Sequence, residues 1–145
     1  MNIICREMQI GDYDAVSTLW HDTEGMRLRD ADSRENIEAY LNRNPGLSFV
    51  VEANLNVVGA VLVGTDGRRG YLQHLAVKSD YRGKGLGQTL VKFAIEALSK
   101  QGIDKTHLFV GNENISAQRF YETKGWIARD EVRMFSFNSS NVENV

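Results

Sequence analysis

Apolar and polar positions change period several times along this chain, and the changes mark its elements. Residues 3–8, which open on Ile3, Ile4 and Cys5, predict a first strand. Asp12 can cap a helix reaching about His21, with Ala15, Val16, Leu19 and Trp20 on its apolar face. Residues 22–32 are charged and contain Gly25, so they predict a loop. Asp32 and Glu35 have the spacing of a capping-box variant before a second helix, which Pro45 and Gly46 end. Residues 48–53 and 56–64 are apolar, β-branched runs joined by a short Asn-containing turn, which predicts a hairpin. Asp66 and Gly67 turn the chain again, and residues 70–77 predict a fourth strand. Leu90, Val91, Ala94, Ile95 and Leu98 then recur at helical spacing, with Gly102 past the end. Residues 107–111 predict a fifth strand, Asn114 can cap a helix ending at Gly125, and residues 132–137 predict a last strand. This order, an antiparallel front half followed by βαβ, predicts an α/β fold with a mixed sheet flanked by helices. It fits one domain over residues 1–137 and a polar, frayed tail over 138–145.

Composition narrows the function. The 145 residues are 42% hydrophobic and 25% charged, ordinary for a soluble globular domain with a real core. Seventeen Lys and Arg stand against nineteen acidic residues, a net charge of -2. That balance gives no electrostatic reason to expect nucleic acid or a membrane surface as partner. Arg68, Arg69, Arg82 and Lys84 could still form a local patch suited to phosphates. No apolar run approaches membrane-spanning length, no signal peptide is evident, and a cytoplasmic location follows by default. Cys5 is the only cysteine, so neither an internal disulfide nor a multi-Cys metal site is expected, and no metal is assigned. The simplest reading of Cys5 is a small residue on the first strand.

The most informative stretch runs from Leu75 to Gln88: an apolar strand end, a polar turn, a glycine-rich loop and a helix start. Gly83, Gly85 and Gly87 alternate, so the backbone can turn sharply and approach a ligand closely. The N–H groups opening the helix have no intrahelical partner, the dipole is positive there, and Arg82 and Lys84 add two cations. Such a site suits a pyrophosphate. Two familiar phosphate loops fail on spacing. A P-loop places its Lys after the last glycine and a hydroxyl next, whereas Lys84 lies between glycines and Gln88 follows Gly87. The dinucleotide fingerprint needs its third glycine one position later than Gly87.

The pattern present, Arg82-x-x-Gly85-x-Gly87, resembles the [QR]-x-x-G-x-[GA] signature of GNAT-type N-acetyltransferases. The Leu75-Ala76-Val77 strand end precedes it at the family's spacing. A second family motif, N-x-x-A-x-x-x-Y-x-x-x-G-[FW], is matched by Asn114, Ala117, Tyr121, Gly125 and Trp126. The resemblance covers about residues 3–137 and is most specific over 71–126. It implies a mostly antiparallel sheet whose parallel fourth and fifth strands splay apart. It implies acetyl-CoA as cosubstrate. Leu75, Ala76 and Val77 would hold the pantetheine, residues Arg82, Gly83, Lys84, Gly85, Leu86, Gly87 and Gln88 the pyrophosphate, and Asn114 and Tyr121 would also contact the coenzyme. The Leu75 N–H would be the oxyanion donor, and Tyr121 would protonate the leaving thiolate. From the residues alone, Tyr121 reads as a packed helix residue and Asn114 as a helix cap; the second motif is what turns both toward the coenzyme.

The base that deprotonates the acceptor is not legible. Strict alternation along the fourth strand puts Tyr71, Gln73, Leu75 and Val77 on one face and Leu72, His74 and Ala76 on the other. Some relatives carry Glu where Gln73 stands, and Gln cannot take a proton. His74 has suitable chemistry, but this parity turns it away from Tyr71 and Gln73 and favours a hydrogen-bonded core histidine. Asp22, Glu24, Asp30 and Asp32 lie in the loop that borders the acceptor in the resembled family, where any could attract a cationic amine or remain a solvated charge. A chain of waters could carry the proton instead. Tyr71, Gln73 and Glu24 are the expected substrate contacts. The function implied is acetyl transfer from acetyl-CoA to a small-molecule amine or protein amino group by direct attack. The alternatives are a non-catalytic acyl-CoA-binding module, which would release no thiol, and a nucleotide-binding regulatory domain, which would prefer ATP or NAD. Homodimerisation is in keeping with family habit.

Overall fold

A single five-stranded sheet carries the first three-quarters of the chain. Its spatial order is β1 (Ile3–Glu7), β2 (Phe49–Ala53), β3 (Asn56–Thr65), β4 (Gly70–Val77) and β5 (Thr106–Leu108). The first four are antiparallel neighbours, and β5 lies parallel to β4. The computed structural model describes residues 2–145, in two units: one ends at Leu108 and the other is Phe109–Val145. The helices of the first unit are α1 (Tyr13–His21), α2 (Arg34–Arg43) and α3 (Leu86–Lys100); the second unit holds α4 (Ile115–Thr123). Among the described residues no helix is long and apolar enough to cross a membrane.

Each sheet face is covered by a helical stripe close to the one the periodicity predicts, but Ala15 and Ile95, expected on the apolar faces, sit at the edge of their stripes and are exposed. Val16, Leu19 and Trp20 of α1 and Ile37 of α2 pack on Val50, Ala60, Leu62 and Ala76. On the other face, α3 buries Leu86, Leu90, Val91, Ala94 and Leu98. A Cβ at Gly59 would lie 3.2 Å from Leu90 Cδ1, and one at Gly70 would lie 2.7 Å from Leu98 Cδ1, so glycine lets α3 settle close to β3 and β4. Gly64 does the same on the opposite face, where a Cβ would lie 2.3 Å from the Tyr40 hydroxyl. Helix α3 stops at a Schellman motif: Gly102 has φ +83°, its N–H donates to Ser99, and the Ile103 N–H donates to Leu98.

Four local expectations change. Asp12 does not cap α1; a 3-10 turn, Ile10–Asp12, precedes the helix, and Asp12 instead receives two hydrogen bonds from Arg6, at 2.8 and 2.9 Å. Asp32 does not cap α2; Ser33 does, its hydroxyl accepting from the Asn36 N–H at 3.2 Å. The fifth strand is shorter than 107–111, since its ladder with β4 covers only Thr106 to Leu108. Residues 132–137 form no strand: Val132, Met134, Phe135 and Phe137 are exposed, and alternation without a paired neighbour does not hold an extended chain in a sheet.

The β2–β3 hairpin turns on two residues at positive φ, Asn54 (+50°) and Leu55 (+72°). Both central residues of such a turn favour Asn or Gly, and a left-handed leucine costs about 1–2 kcal/mol. Leu55→Gly is therefore expected to raise stability by about 1 kcal/mol, read as a rise in the urea midpoint at unchanged slope. A fall would show that the exposed Leu55 side chain makes a contact that outweighs the strain.

Arg6 joins β1 to its surroundings through Asp12 and Glu52. The guanidinium holds the Asp12 carboxyl below the usual range; burial opposes this and the Gln9 N–H assists. A carboxyl depressed in the folded state stabilises it above the unfolded pKa, near 4, and loses that contribution as pH falls through the folded value. Arg6→Ala is expected to cost about 1–3 kcal/mol at pH 7, with the difference from wild type shrinking below about pH 4. Urea melts at pH 7, 4 and 3 would show this; a constant difference would mean that Arg6 acts through packing alone.

Candidate active site

Strand β4 delivers the chain to the phosphate-type loop. After Val77, the Lys78 N–H donates to Val58 at 2.7 Å, a 3-10 turn spans Ser79–Tyr81, and the loop comes next. Gly83 has φ +77° and Gly85 has φ +81°, conformations that side chains rarely adopt. A Cβ at either would meet nothing within 4 Å, so the glycines leave an open cradle that side chains would fill. Gly85 is the N-cap of α3 and offers no capping side chain, and the first turn carries no acidic residue. The opening N–H groups at Leu86, Gly87 and Gln88 thus face a cradle of positive potential. The donor set fits a pyrophosphate. Lys84 is exposed at the loop. Arg82 also acts within the frame, where its Nε donates to the Val77 carbonyl at 2.8 Å and braces the loop against the strand end.

The middle of β4 departs from simple alternation. Ala60 pairs with Ala76 and Leu62 with Gln73, so Val61 alone stands opposite both His74 and Leu75. This is a β-bulge, and His74 in it has φ +53°. The extra residue reverses the parity of the rest of the strand. Tyr71 pairs with Gly64 and Gln73 with Leu62, on the α1/α2 face. Ala76 lies in the same core, while Val77 approaches Gly59 on the α3 side. His74 contacts α1 and the turn before α2. The expected parity is therefore corrected: His74 shares a face with Tyr71 and Gln73, and Leu75 and Val77 do not.

Three groups fix His74. Its Nε2 lies 2.8 Å from Asp32 Oδ1, its ring meets Trp20 edge-on with centroids 4.9 Å apart, and its carbonyl accepts from Trp20 Nε1 at 3.1 Å. The peptide is trans, so the Leu75 N–H leaves on the side opposite the carbonyl that Trp20 holds. Asp32 is held in turn: its second oxygen accepts from the Arg29 N–H at 3.0 Å, and Tyr13 donates to its carbonyl at 2.7 Å. Sequence reading named His74 and Asp32 separately and missed the pair. No residue pattern announces a bulge at a histidine, although Ser33 was available as the alternative cap.

The other predicted contacts are distributed. Tyr71 lies against His107 of β5, with ring centroids 6.0 Å apart, and Gln73 is exposed. Asp22 and Glu24 are exposed in the loop after α1. Burial pushes the Cys5 thiol up to about 11, leaving it protonated and inert at neutral pH. In the second unit, Asn114 caps α4 by accepting from the Ala117 N–H at 3.2 Å. Gly125, at φ +92°, ends the helix in a Schellman motif whose outer bond runs from the Trp126 N–H to the Tyr121 carbonyl. Tyr121 meets Phe120 and Trp126 with centroids 5.1 and 5.6 Å away, and burial pushes its phenol up to about 12.

Known proteins share this fold. The sequence model of the acetyltransferase (GNAT) family matches residues 13–126. An acetyltransferase of Pectobacterium atrosepticum is 37% identical over 111 residues, 77% of this chain and 78% of that protein. The N-acetyltransferase PaiA of Thermoplasma acidophilum, solved with coenzyme A, superposes with a TM-score of 0.81 at 22% identity, over 90% of this chain and 92% of that one. The ribosomal-protein-S18-alanine N-acetyltransferase of Escherichia coli gives 0.71 at 21% identity, over 86% and 77%. With the mixed sheet, the parallel β4–β5 pair and the glycine loop all in place, this chain belongs to the GNAT acetyltransferase family.

Proposed function

We propose that the protein moves an acetyl group from acetyl-CoA to a primary amine by direct attack within a ternary complex, as a single domain over residues 1–137. The observation that carries this reading is the open glycine cradle at the start of α3, joined to β4 through the Arg82–Val77 hydrogen bond. Strand β4 runs on from Gln73 to Val77 beyond its ladder with β5, which leaves backbone groups for the pantetheine at Leu75, Ala76 and Val77. Leu75 would supply the oxyanion donor; a donor fixed in a strand needs no reorganisation as charge develops. Asn114 would cap its helix and contact the coenzyme. Tyr71, Gln73 and Glu24 would meet the acceptor, which could be a metabolite amine, an aminoglycoside-like compound or a protein amino group. No Ser–His–Asp or Cys–His arrangement among the described residues supports a covalent intermediate in this reading.

Tyr121 would serve the leaving group. A phenol near 12 remains protonated throughout the working range. Full transfer from it to a thiolate, whose conjugate acid lies near 8.5, is uphill by about 5 kcal/mol. Its hydroxyl would therefore donate a hydrogen bond to the leaving sulfur and pass its proton on only as another proton replaces it.

The direct test follows thiol release from acetyl-CoA with spermidine, glucosamine 6-phosphate, neamine, an alanine-initiated peptide and a lysine peptide. Thermal unfolding is run in parallel with acetyl-CoA, coenzyme A, NAD and ATP. Saturation at 100 times Kd contributes about 2.7 kcal/mol, several degrees for a domain of this size. A shift with the two coenzyme A species and release with an amine support the reading. A shift without release would make the protein an acyl-CoA-binding module, and a shift with NAD or ATP alone would overturn the loop assignment.

Gly85→Glu places a side chain and a negative charge in the cradle. It is expected to abolish the acetyl-CoA shift while costing about 1–2 kcal/mol from the left-handed backbone; a normal shift would remove the loop from the site. Tyr121→Phe should lower kcat at least about tenfold with acetyl-CoA affinity little changed. Because burial pushes the phenol up to about 12, wild-type turnover should show no alkaline decline from this group up to about pH 10, where an unperturbed tyrosine is half ionised. Equal kcat in the variant would take Tyr121 out of the chemistry.

A further inference from the structure

We propose that His74, held by Asp32, is the general base that takes the proton from the acceptor amine; this rests on the acetyl-transfer reading above. An Asp carboxylate only accepts, so its contact with Nε2 at 2.8 Å places the proton on that nitrogen. The lone pair is then on Nδ1, which has no hydrogen bond to a protein group among the described residues. This is the orientation that an acid–histidine pair needs: the carboxylate fixes the tautomer and offsets the charge of the imidazolium that forms. The pair is shielded yet reachable, with side chains 22% and 11% exposed.

Geometry argues against a purely structural histidine. A left-handed non-glycine residue costs about 1–2 kcal/mol, and the strain here lies one residue before Leu75, the proposed oxyanion donor. The bulge puts His74 on the face that carries Tyr71 and Gln73, against the segment that contributes Asp32. Several titratable groups stand on the surrounding elements. Asp32 binds the ring, Asp30 shares its turn, and Arg29 precedes that turn. Tyr13 of α1 binds the Asp32 carbonyl, and His21, at the end of α1, is bonded to the Ser17 carbonyl. Tyr71 is on the same strand face, against His107 of β5; β3 carries no titratable side chain.

The step balances. The Nδ1 lone pair takes a proton from the ammonium, and the exposed amine lone pair attacks the thioester carbonyl carbon. The C–N bond forms and the C–S bond breaks. The thiolate takes up the second proton that the amine nitrogen releases as the amide forms, and the imidazolium returns its proton to solvent.

The test uses His74→Asn, since Asn tolerates left-handed backbone, and Asp32→Asn. Both should keep the wild-type thermal shift with acetyl-CoA. His74→Asn should lose about 100- to 10,000-fold in kcat/KM for the amine acceptor and lose the acid limb of the pH profile. Asp32→Asn should lose about 10- to 1,000-fold, mostly in kcat. If none of the five amines is a substrate, the same limb is read in the slow hydrolysis of bound acetyl-CoA. Transfer or hydrolysis by His74→Asn with the rate and acid limb intact overturns the dyad alone. A wild-type protein that binds acetyl-CoA but neither transfers nor hydrolyses overturns the acetyl-transfer reading, and the dyad with it.

Discussion

The bulge in β4 sets the geometry around the centre of the sheet, and it is held from outside the strand. Trp20 reaches from α1 to the His74 carbonyl, and Asp32 reaches from the turn before α2 to the imidazole. A neutral hydrogen bond contributes about 0.5–1.5 kcal/mol and one to a charged group about 1.5–3. Together these offset the roughly 1–2 kcal/mol that a left-handed histidine costs. Remove the bulge and every residue after it changes face: Ala76 would leave the α1/α2 core, and Val77 would leave the α3 side.

The phosphate-type loop rests on a different kind of constraint. Gly83 and Gly85 accept positive φ, and the space beside them stays open because no Cβ occupies it. The helix beyond is anchored by its apolar stripe, from Leu86 to Leu98. The loop is therefore fixed at both ends, by the Lys78 and Arg82 bonds at the strand and by burial at the helix. A rigid frame with an unfilled, positively polarised rim suits an anion whose charge is constant through the reaction. Proton transfer needs something else, a group whose protonation state changes, which is the role proposed for His74 on the same strand.

The local signals that held were those written in consecutive residues. The helix stripes apart from Ala15 and Ile95, the stop signals at Gly102 and Gly125, the Asn114 cap and the boundaries of β4 all follow from spacing that neighbouring residues enforce. The ones that failed involved competition between distant partners. Asp12 could cap a helix, but the Arg6 guanidinium offered a charge-assisted alternative. Asp32 could cap the next helix, but His74 claimed it and Ser33, one residue on, took the cap. Residues 132–137 alternate as a strand does, yet a strand needs a neighbour, which alternation does not supply.

The sequence by itself determined the family, the helix and strand order and the glycine loop, because each depends on residue types at fixed short spacing. It also named His74 and Asp32 as chemically suitable without relating them. Only the tertiary structure decided that they meet. Forty-two residues separate the two in the chain, and their meeting depends on a single extra residue in the register of β4 against β3. Register is settled by the packing of whole faces, since a shift of one position turns every later side chain to the other side of the sheet. No local pattern around His74 encodes that choice.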